Sequence, residues 1–129
     1  MSREDDLNEL VHYWIEMARE SLDAASDEMA AERFAFSVNR IYYGCFYAVT
    51  AVMLKRGLIF KKHSGVRAAF HQHFVKPGLI SREHGLLYDE LFEARQRGDY
   101  IVLVSFEKAE VEEWLSRARE FIGTITSIL

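Results

Sequence analysis

An all-α, up-and-down bundle of about five helices is the fold this sequence predicts, and three observations predict it. Apolar residues recur every three or four positions through most of the 129 residues. The breaks between those runs carry helix-stop and helix-start residues: Gly57, Pro77 with Gly78, and Gly98 on one side, Ser64, Ser81 and Ser105 on the other. Only Tyr100 to Val104 reads locally as a strand, and no second strand exists to pair with it, so it is expected as an extended connector. Half the residues are hydrophobic, enough for one ordinary core, so residues 1–129 form a single domain.

The elements follow in order. Leu7, Leu10, Val11, Trp14, Ala18, Leu22, Ala25 and Met29 make Asp6 to about Met29 an amphipathic first helix whose other face is acidic. Phe34 to Lys55 carries two apolar stripes, one through Val38, Ile41, Cys45 and Val49, the other through Phe36, Tyr43, Tyr47 and Leu54. A helix apolar on two sides belongs in the centre. Ser64 is the expected cap of a short third helix ended by Pro77 and Gly78, and Ser81 that of a fourth running to Gly98. The last helix is expected to open at Ser105 and to keep Val111, Trp114, Leu115, Ala118, Phe121, Ile122, Ile125 and Ile128 on one side.

Charge is distributed unevenly along this frame. From Arg33 to Arg82 there are nine Lys or Arg, three of the five His and no Asp or Glu, although the chain as a whole has a net charge of −4. Folding that clusters these side chains gives a positive surface on a negative body, suited to phosphate or to an acidic partner. Lys61, Lys62 and Arg67, with Arg95 or Arg97, are the expected phosphate-attracting set.

Several function classes are excluded. The longest uncharged run, Ile41 to Leu54, is too short to span a bilayer, and the first residues are acidic where a secretory signal is basic and apolar, so a cytoplasmic protein is expected. The single Cys45 forms no internal disulfide, no Cys/His spacing matches a zinc site, and His71 and His73 face about 200° apart on a helix. No Gly-rich phosphate loop and no nucleophile elbow occur, so no metal or cofactor is expected.

Chemistry concentrates on two helices. On the fourth, His84, Tyr88, Leu91 and Arg95 project within about 60° of one another, which puts Arg95 in the apolar stripe. A guanidinium there requires a carboxylate, a carbonyl or a ligand anion. Asp99 follows one turn later, past Gly98, beside Tyr100, and an ion pair between Arg95 and Asp99 that caps the helix is the structural alternative to a ligand. Arg40 shares the second stripe of the central helix with Tyr43 and is expected to turn inward or lie at an interface, paired with an acid of the first or fourth helix or aimed at a ligand.

The segments Arg40-Ile-Tyr-Tyr-Gly-Cys-Phe-Tyr, Lys62-His63-Ser-Gly-Val, Phe74-Val-Lys and Leu91-Phe-Glu-Ala-Arg95-Gln-Arg-Gly-Asp99-Tyr100 resemble the small stand-alone prokaryotic HEPN proteins over nearly the whole chain. That resemblance implies a helical, often dimeric domain acting beside a minimal nucleotidyltransferase as toxin and antitoxin, in a nucleotide or RNA context. Together with the charge and spacing above, nucleotide or RNA contacts are expected at Arg40, Tyr43, Lys61, Lys62, His63, Arg67, Arg95 and Arg97. Active members cut RNA without metal through Arg, four to six residues, then His; here that position holds Asp99 and Tyr100. Arg67 and His73 have the spacing but lie outside the motif.

Three readings follow: a nucleotide- or RNA-associated partner of a nucleotidyltransferase; a metal-independent ribonuclease in which Arg95 works with Asp99 or Tyr100; or a dimeric protein-interaction scaffold. The resemblance also implies Tyr100 as a site for AMP addition by the partner enzyme, although Tyr100 follows Asp99 directly, outside the His-x-Tyr pattern of the modified toxins.

Overall fold

The computed structural model describes residues 2–100 and 105–129, with the backbone alone for Asp99 and Tyr100. Its helices are α1 (Arg3–Ala30), α2 (Phe34–Lys55), α3 (His63–Phe70), which runs on as a π-helical turn (His71–Val75), α4 (Arg82–Tyr100) and α5 (Lys108–Ser127). The all-α bundle expected from the periodicity is the architecture observed. Of the extended connector expected over Tyr100 to Val104, Tyr100 is instead the last residue of α4, and residues 101–104 lie outside the described residues.

A capping box starts α1: the Asp5 amide donates to Ser2 Oγ at 3.1 Å, and the Ser2 amide donates to the Asp5 carboxylate at 3.4 Å. Glu4, Asp5 and Asp6 then meet the positive end of the helix dipole. The turn into α2 passes through Glu32 at φ 60°, and α1 and α2 lie against each other as the most extensive helix pair. Two buried hydroxyls tie them, Ser21 Oγ donating to the Arg40 carbonyl and Ser37 Oγ to the Ala25 carbonyl, both at 2.8 Å. Where the helices approach most closely stands Gly44. A Cβ there would sit 2.6 Å from Leu22 Cδ2 and 3.3 Å from the Ala18 carbonyl oxygen. Gly44→Ala should therefore lower unfolding free energy by about 1–3 kcal/mol, read as a lower midpoint in urea.

Eleven of the 22 residues of α2 are buried, more than in any other helix, and α2 alone packs against α1, α3, α4 and α5. The central position expected for it is the one it has. Its second stripe, however, is not enclosed: Phe36 is 65% exposed, and Tyr43, Tyr47 and Leu54 are half-buried. An apolar stripe read from spacing reveals affinity for cover but not whether the chain supplies it.

Four boundaries differ from expectation. The first helix begins at Arg3 rather than Asp6, because the Ser2–Asp5 box recruits the acidic turn. The third begins at His63, with Lys62 in the cap position, so Ser64 is a first-turn residue rather than the cap. The fourth runs through Gly98 to Tyr100, since a helical glycine costs only about 1 kcal/mol and the ring of Phe106 packs 3.3 Å from where its Cβ would be. The last opens at Lys108 with Glu107 as cap, leaving Ser105 outside. Ser81 does cap α4, its Oγ accepting the His84 amide at 3.2 Å.

Candidate functional site

Three helices bring one polar cluster together. From α2 come Asn39, Arg40, Tyr42, Tyr43 and Phe46, from the first residue of α3 comes His63, and from the last turns of α4 comes Arg95. The i, i+3, i+4 spacing of Asn39, Tyr42, Tyr43 and Phe46 keeps those side chains on one side of α2.

Tyr42 is fully buried, and its hydroxyl lies 2.8 Å from His63 Nδ1. The imidazole lies flat on Phe46, ring centres 4.3 Å apart and planes 5° apart, with Tyr43 edge-on at 5.7 Å. Arg95 reaches the same two tyrosines. Its Nη2 donates to the Tyr43 hydroxyl at 3.2 Å, and its Cζ stands 5.4 Å from the ring centres of both Tyr42 and Tyr43. A second guanidinium, Arg40, stands 5.0 Å from the centre of the Tyr43 ring and donates from Nε and Nη2 to Asn39 Oδ1 at 3.2 and 2.8 Å.

The expected pairing of Arg40 with an acid is thus replaced by an amide oxygen. Among the described residues no carboxylate forms an ion pair with it, so its charge is held in place without being neutralised. Tyr43 has two cations close to its ring, Arg40 at 5.0 Å and Arg95 at 5.4 Å from the ring centre.

Electrostatics and burial set the protonation states. Burial first, and then the nearby positive charge of Arg95, hold the His63 imidazole below its usual pKa, so it is neutral at pH 7. Burial pushes the Tyr42 phenol up to about 12, against the smaller opposing pull of the neighbouring Tyr88 hydroxyl and of Arg95. Tyr42 therefore keeps its proton. A phenol can donate to Nδ1 or accept from it, so either neutral tautomer of His63 is available. The deeper Tyr88 hydroxyl interacts with Tyr42 but satisfies no strict hydrogen-bond geometry, and we regard it as a weak second link.

The remaining expected site residues distribute unevenly. Lys61 and Lys62 are exposed immediately before His63, at the edge of the cluster. Arg67 instead turns to α4: Nη1 is 3.3 Å from Glu93, Nε is 3.8 Å from Asp89, and Cζ stands 4.2 Å over Phe92. Arg97 faces the other way, 5.8 Å from the centre of the Phe106 ring. Asp99 and Tyr100 end α4 one turn beyond Arg95, with side chains outside the described residues. His71 pairs with Asp89 at 2.9 Å, and His73 is not part of the cluster.

Sequence reasoning missed Asn39, Tyr42 and Phe46 as site builders. The ring of Tyr42 is part of the core, yet its hydroxyl reaches His63 and its face meets Arg95. On its far side Phe46 also lines an apolar pocket of about 220 Å³ with Trp14, Met53 and Phe60. Its lining has little to offer a proton or a phosphate, and the chemistry lies on the His63 side.

Comparison with known proteins places the chain in a family and matches its fold. The HEPN domain matches residues 11–128. A UPF0332 protein of Thermotoga maritima is 43% identical over 125 residues, covering 97% of this chain and 95% of that one. Two proteins of Methanocaldococcus jannaschii named as candidate toxins are 35% and 31% identical, covering 84% and 96% of this chain and 74% and 92% of theirs. The crystal structure of TT1696 from Thermus thermophilus superposes with a TM-score of 0.76 at 17% identity, covering 92% of this chain and 98% of that one, a likeness of fold. With the aromatic segment of α2 and the Arg95 turn of α4 meeting at one cluster, and the match spanning nearly every helix, the chain belongs to the HEPN domain family.

Proposed function

We propose that this chain is the toxin-side HEPN module of a two-component system and that it holds a phosphate of RNA or of a nucleotide at the Arg40–Tyr43–His63–Arg95 cluster. The observation that carries the reading is the pair of guanidiniums beside Tyr43, 5.0 and 5.4 Å from its ring centre, that of Arg40 donating among the described residues to the Asn39 amide oxygen. Planar guanidiniums bind phosphate by paired, charge-assisted hydrogen bonds. Relatives named as candidate toxins support the toxin side.

Lys61 and Lys62 act as the approach to this cluster, exposed on the connector that delivers His63. Reversing both charges, Lys61→Glu with Lys62→Glu, should weaken binding of a single-stranded RNA and flatten its dependence on salt by about 1–2 in log–log slope. Titration by fluorescence anisotropy between roughly 50 and 300 mM salt reads both quantities. An unchanged affinity and slope assign the two lysines to solvation alone. Arg67, neutralised by Asp89 and Glu93, is the internal control, since its replacement should leave the slope unchanged.

The partner in this reading is a minimal nucleotidyltransferase, and the functional unit is a homodimer in the cytoplasm. The open stripe of α2, with Phe36 at 65% exposure, is the surface a second copy would cover. Among the described residues no helix is long and apolar enough to cross a membrane. Regulation by AMP addition at Tyr100 fits its place at the end of α4, one turn on from Arg95, where an added phosphate would bring negative charge close to the cluster. Incubation with the nucleotidyltransferase, ATP and magnesium should add one AMP mass to the wild type and none to Tyr100→Phe. An adduct that persists in Tyr100→Phe, or none in either, removes this part of the proposal.

A further inference from the structure

Phe46 carries the His63 imidazole on its ring and also lines an apolar pocket of about 220 Å³ for which the phosphate reading has no use. We propose that this pocket is the docking site for an acidic segment of another protein, which seats one or two bulky apolar side chains in it while its carboxylates meet the lysines around it. The docking does not rest on the phosphate reading; only its consequence for RNA does.

The pocket exists before any partner arrives. Its walls include Trp14 of α1, Phe46, Thr50 and Leu54 of α2, and Ile59 and Phe60 of the connector to α3. That connector is held at both ends. Gly57 turns the chain at φ 73°, the Leu58 amide donates to the Met53 carbonyl at 2.9 Å, and the Phe60 ring lies 3.6 Å from where a Cβ of Gly65 would stand. Yet Ile59 is left 78% exposed, more than any other large hydrophobic among the described residues, and Phe60 is exposed beside it. Apolar walls that are already fixed suit an anchor side chain, because little further ordering is needed to bind it.

Size and charge select the occupant. A volume of about 220 Å³ is below the roughly 300–1,000 Å³ of pockets that enclose a drug-sized ligand, so this one takes side chains rather than a whole small molecule. The rim is of one sign: Lys55 follows Leu54, Lys61 and Lys62 follow Phe60, and all three are exposed. Lys55 Nζ donates to the amide oxygen of Asn8 at 2.8 Å, and among the described residues none of the three forms an ion pair with a carboxylate. Lys55 thus leans to α1, while Lys61 and Lys62 adjoin His63, so the cations stand at two edges. A single carboxylate head on an alkyl chain answers one edge. An apolar anchor with acids before and after it answers both. Such a segment covers Lys61 and Lys62, the approach to the Arg95 cluster, and blocks RNA without touching the cluster itself.

The test uses the full chain carrying Trp114→Phe, which leaves Trp14 in the pocket wall as the chain's one tryptophan and its fluorescence as the reporter. The probe is the synthetic peptide Asp-Glu-Glu-Leu-Phe-Glu-Glu-Asp. It should change the Trp14 emission saturably, and replacing its Leu-Phe by Ala-Ala should weaken it at least about tenfold. Thr50→Phe, which fills the pocket, and Ile59→Ser, which removes an exposed wall, should each weaken it at least about fivefold, with circular dichroism showing that both fold. Lys61→Glu with Lys62→Glu should weaken it about three- to tenfold, an effect that fades at high salt. Bound peptide should raise the apparent Kd of a single-stranded RNA at least about threefold. A peptide that does not bind by about 1 mM, or binds equally well as Ala-Ala or to Thr50→Phe, overturns the docking site. So does the same Trp14 change produced by octanoate, by the RNA alone, or by raising the protein concentration alone, which would assign the pocket to an acyl anion, a base or a second copy. Peptide binding that leaves RNA affinity unchanged overturns the blocking role. Failure of wild type to bind any RNA is failure of the phosphate reading, and the peptide titration, run without RNA, is separate from it.

Discussion

Arg95→Ala should weaken RNA or nucleotide binding by about 10- to 100-fold, the loss expected when about 1.5–3 kcal/mol of charge-assisted hydrogen bonding is removed. The effect should be larger than for any single lysine of the approach, because Arg95 is half-buried between two tyrosine rings, where a charge is screened less than at an exposed position. Arg95→Lys separates charge from shape. The lysine keeps the positive charge but loses the planar fork, so it should recover only part of the affinity. Loss of the cation over Tyr42 and Tyr43 should also lower stability by about 0.5–2 kcal/mol, which thermal melting measures independently of binding. Equal affinities in wild type and Arg95→Ala would mean that the guanidinium is a structural member only.

Phe70→Ala should produce the largest stability loss, about 3–5 kcal/mol, because a fully buried ring would be replaced by a cavity. Its ring centre lies 5.3 Å from that of Tyr88, 5.7 Å from Phe121 and 6.1 Å from Phe74, so one side chain joins α3 to α4 and α5. The midpoint of thermal unfolding should drop by roughly 10–20 °C. Function should suffer with it. His63 opens the helix that Phe70 anchors, two turns away, and a loosened α3 no longer holds the imidazole on Phe46. A variant with native stability would show that burial of Val66 and Ala69 holds α3 without the Phe70 ring.

The fold was legible because its information is periodic. Val38, Ile41, Cys45 and Val49 on one face, with Gly57 and Lys55 at the end, placed α2 over the very span it occupies. The ends of other elements were not legible, since Ser64 and Ser105 are good caps that local packing did not use, and Gly98 is tolerated inside α4. The π-helical turn over His71–Val75, in which the Lys76 amide donates to the His71 carbonyl at 2.8 Å, has no sequence signature at all.

The site was half legible for a related reason. Arg40, Tyr43, His63 and Arg95 stand out in the sequence, and they converge; Lys61 and Lys62 lie beside them. Arg67 and Arg97 group with them on charge alone, and only the folded chain shows that Arg67 is answered by Asp89 and Glu93 while Arg97 points to Phe106. Spacing along one helix decides which residues share its face, but which faces meet depends on the packing of other helices. Tyr42 shows the limit most clearly. One residue supplies a buried ring to the core and a hydroxyl to the site, and no pattern of apolar positions separates those two uses.

The measurement that bears most directly on the central claim is a crystal structure of the protein with a short single-stranded nucleic acid bound. A phosphate is expected within hydrogen-bond distance of the Arg95 guanidinium. A phosphate bound elsewhere, for instance among His71, Lys76 and Arg82 at the far end of α3, with the Arg95 cluster unvisited, would contradict the claim.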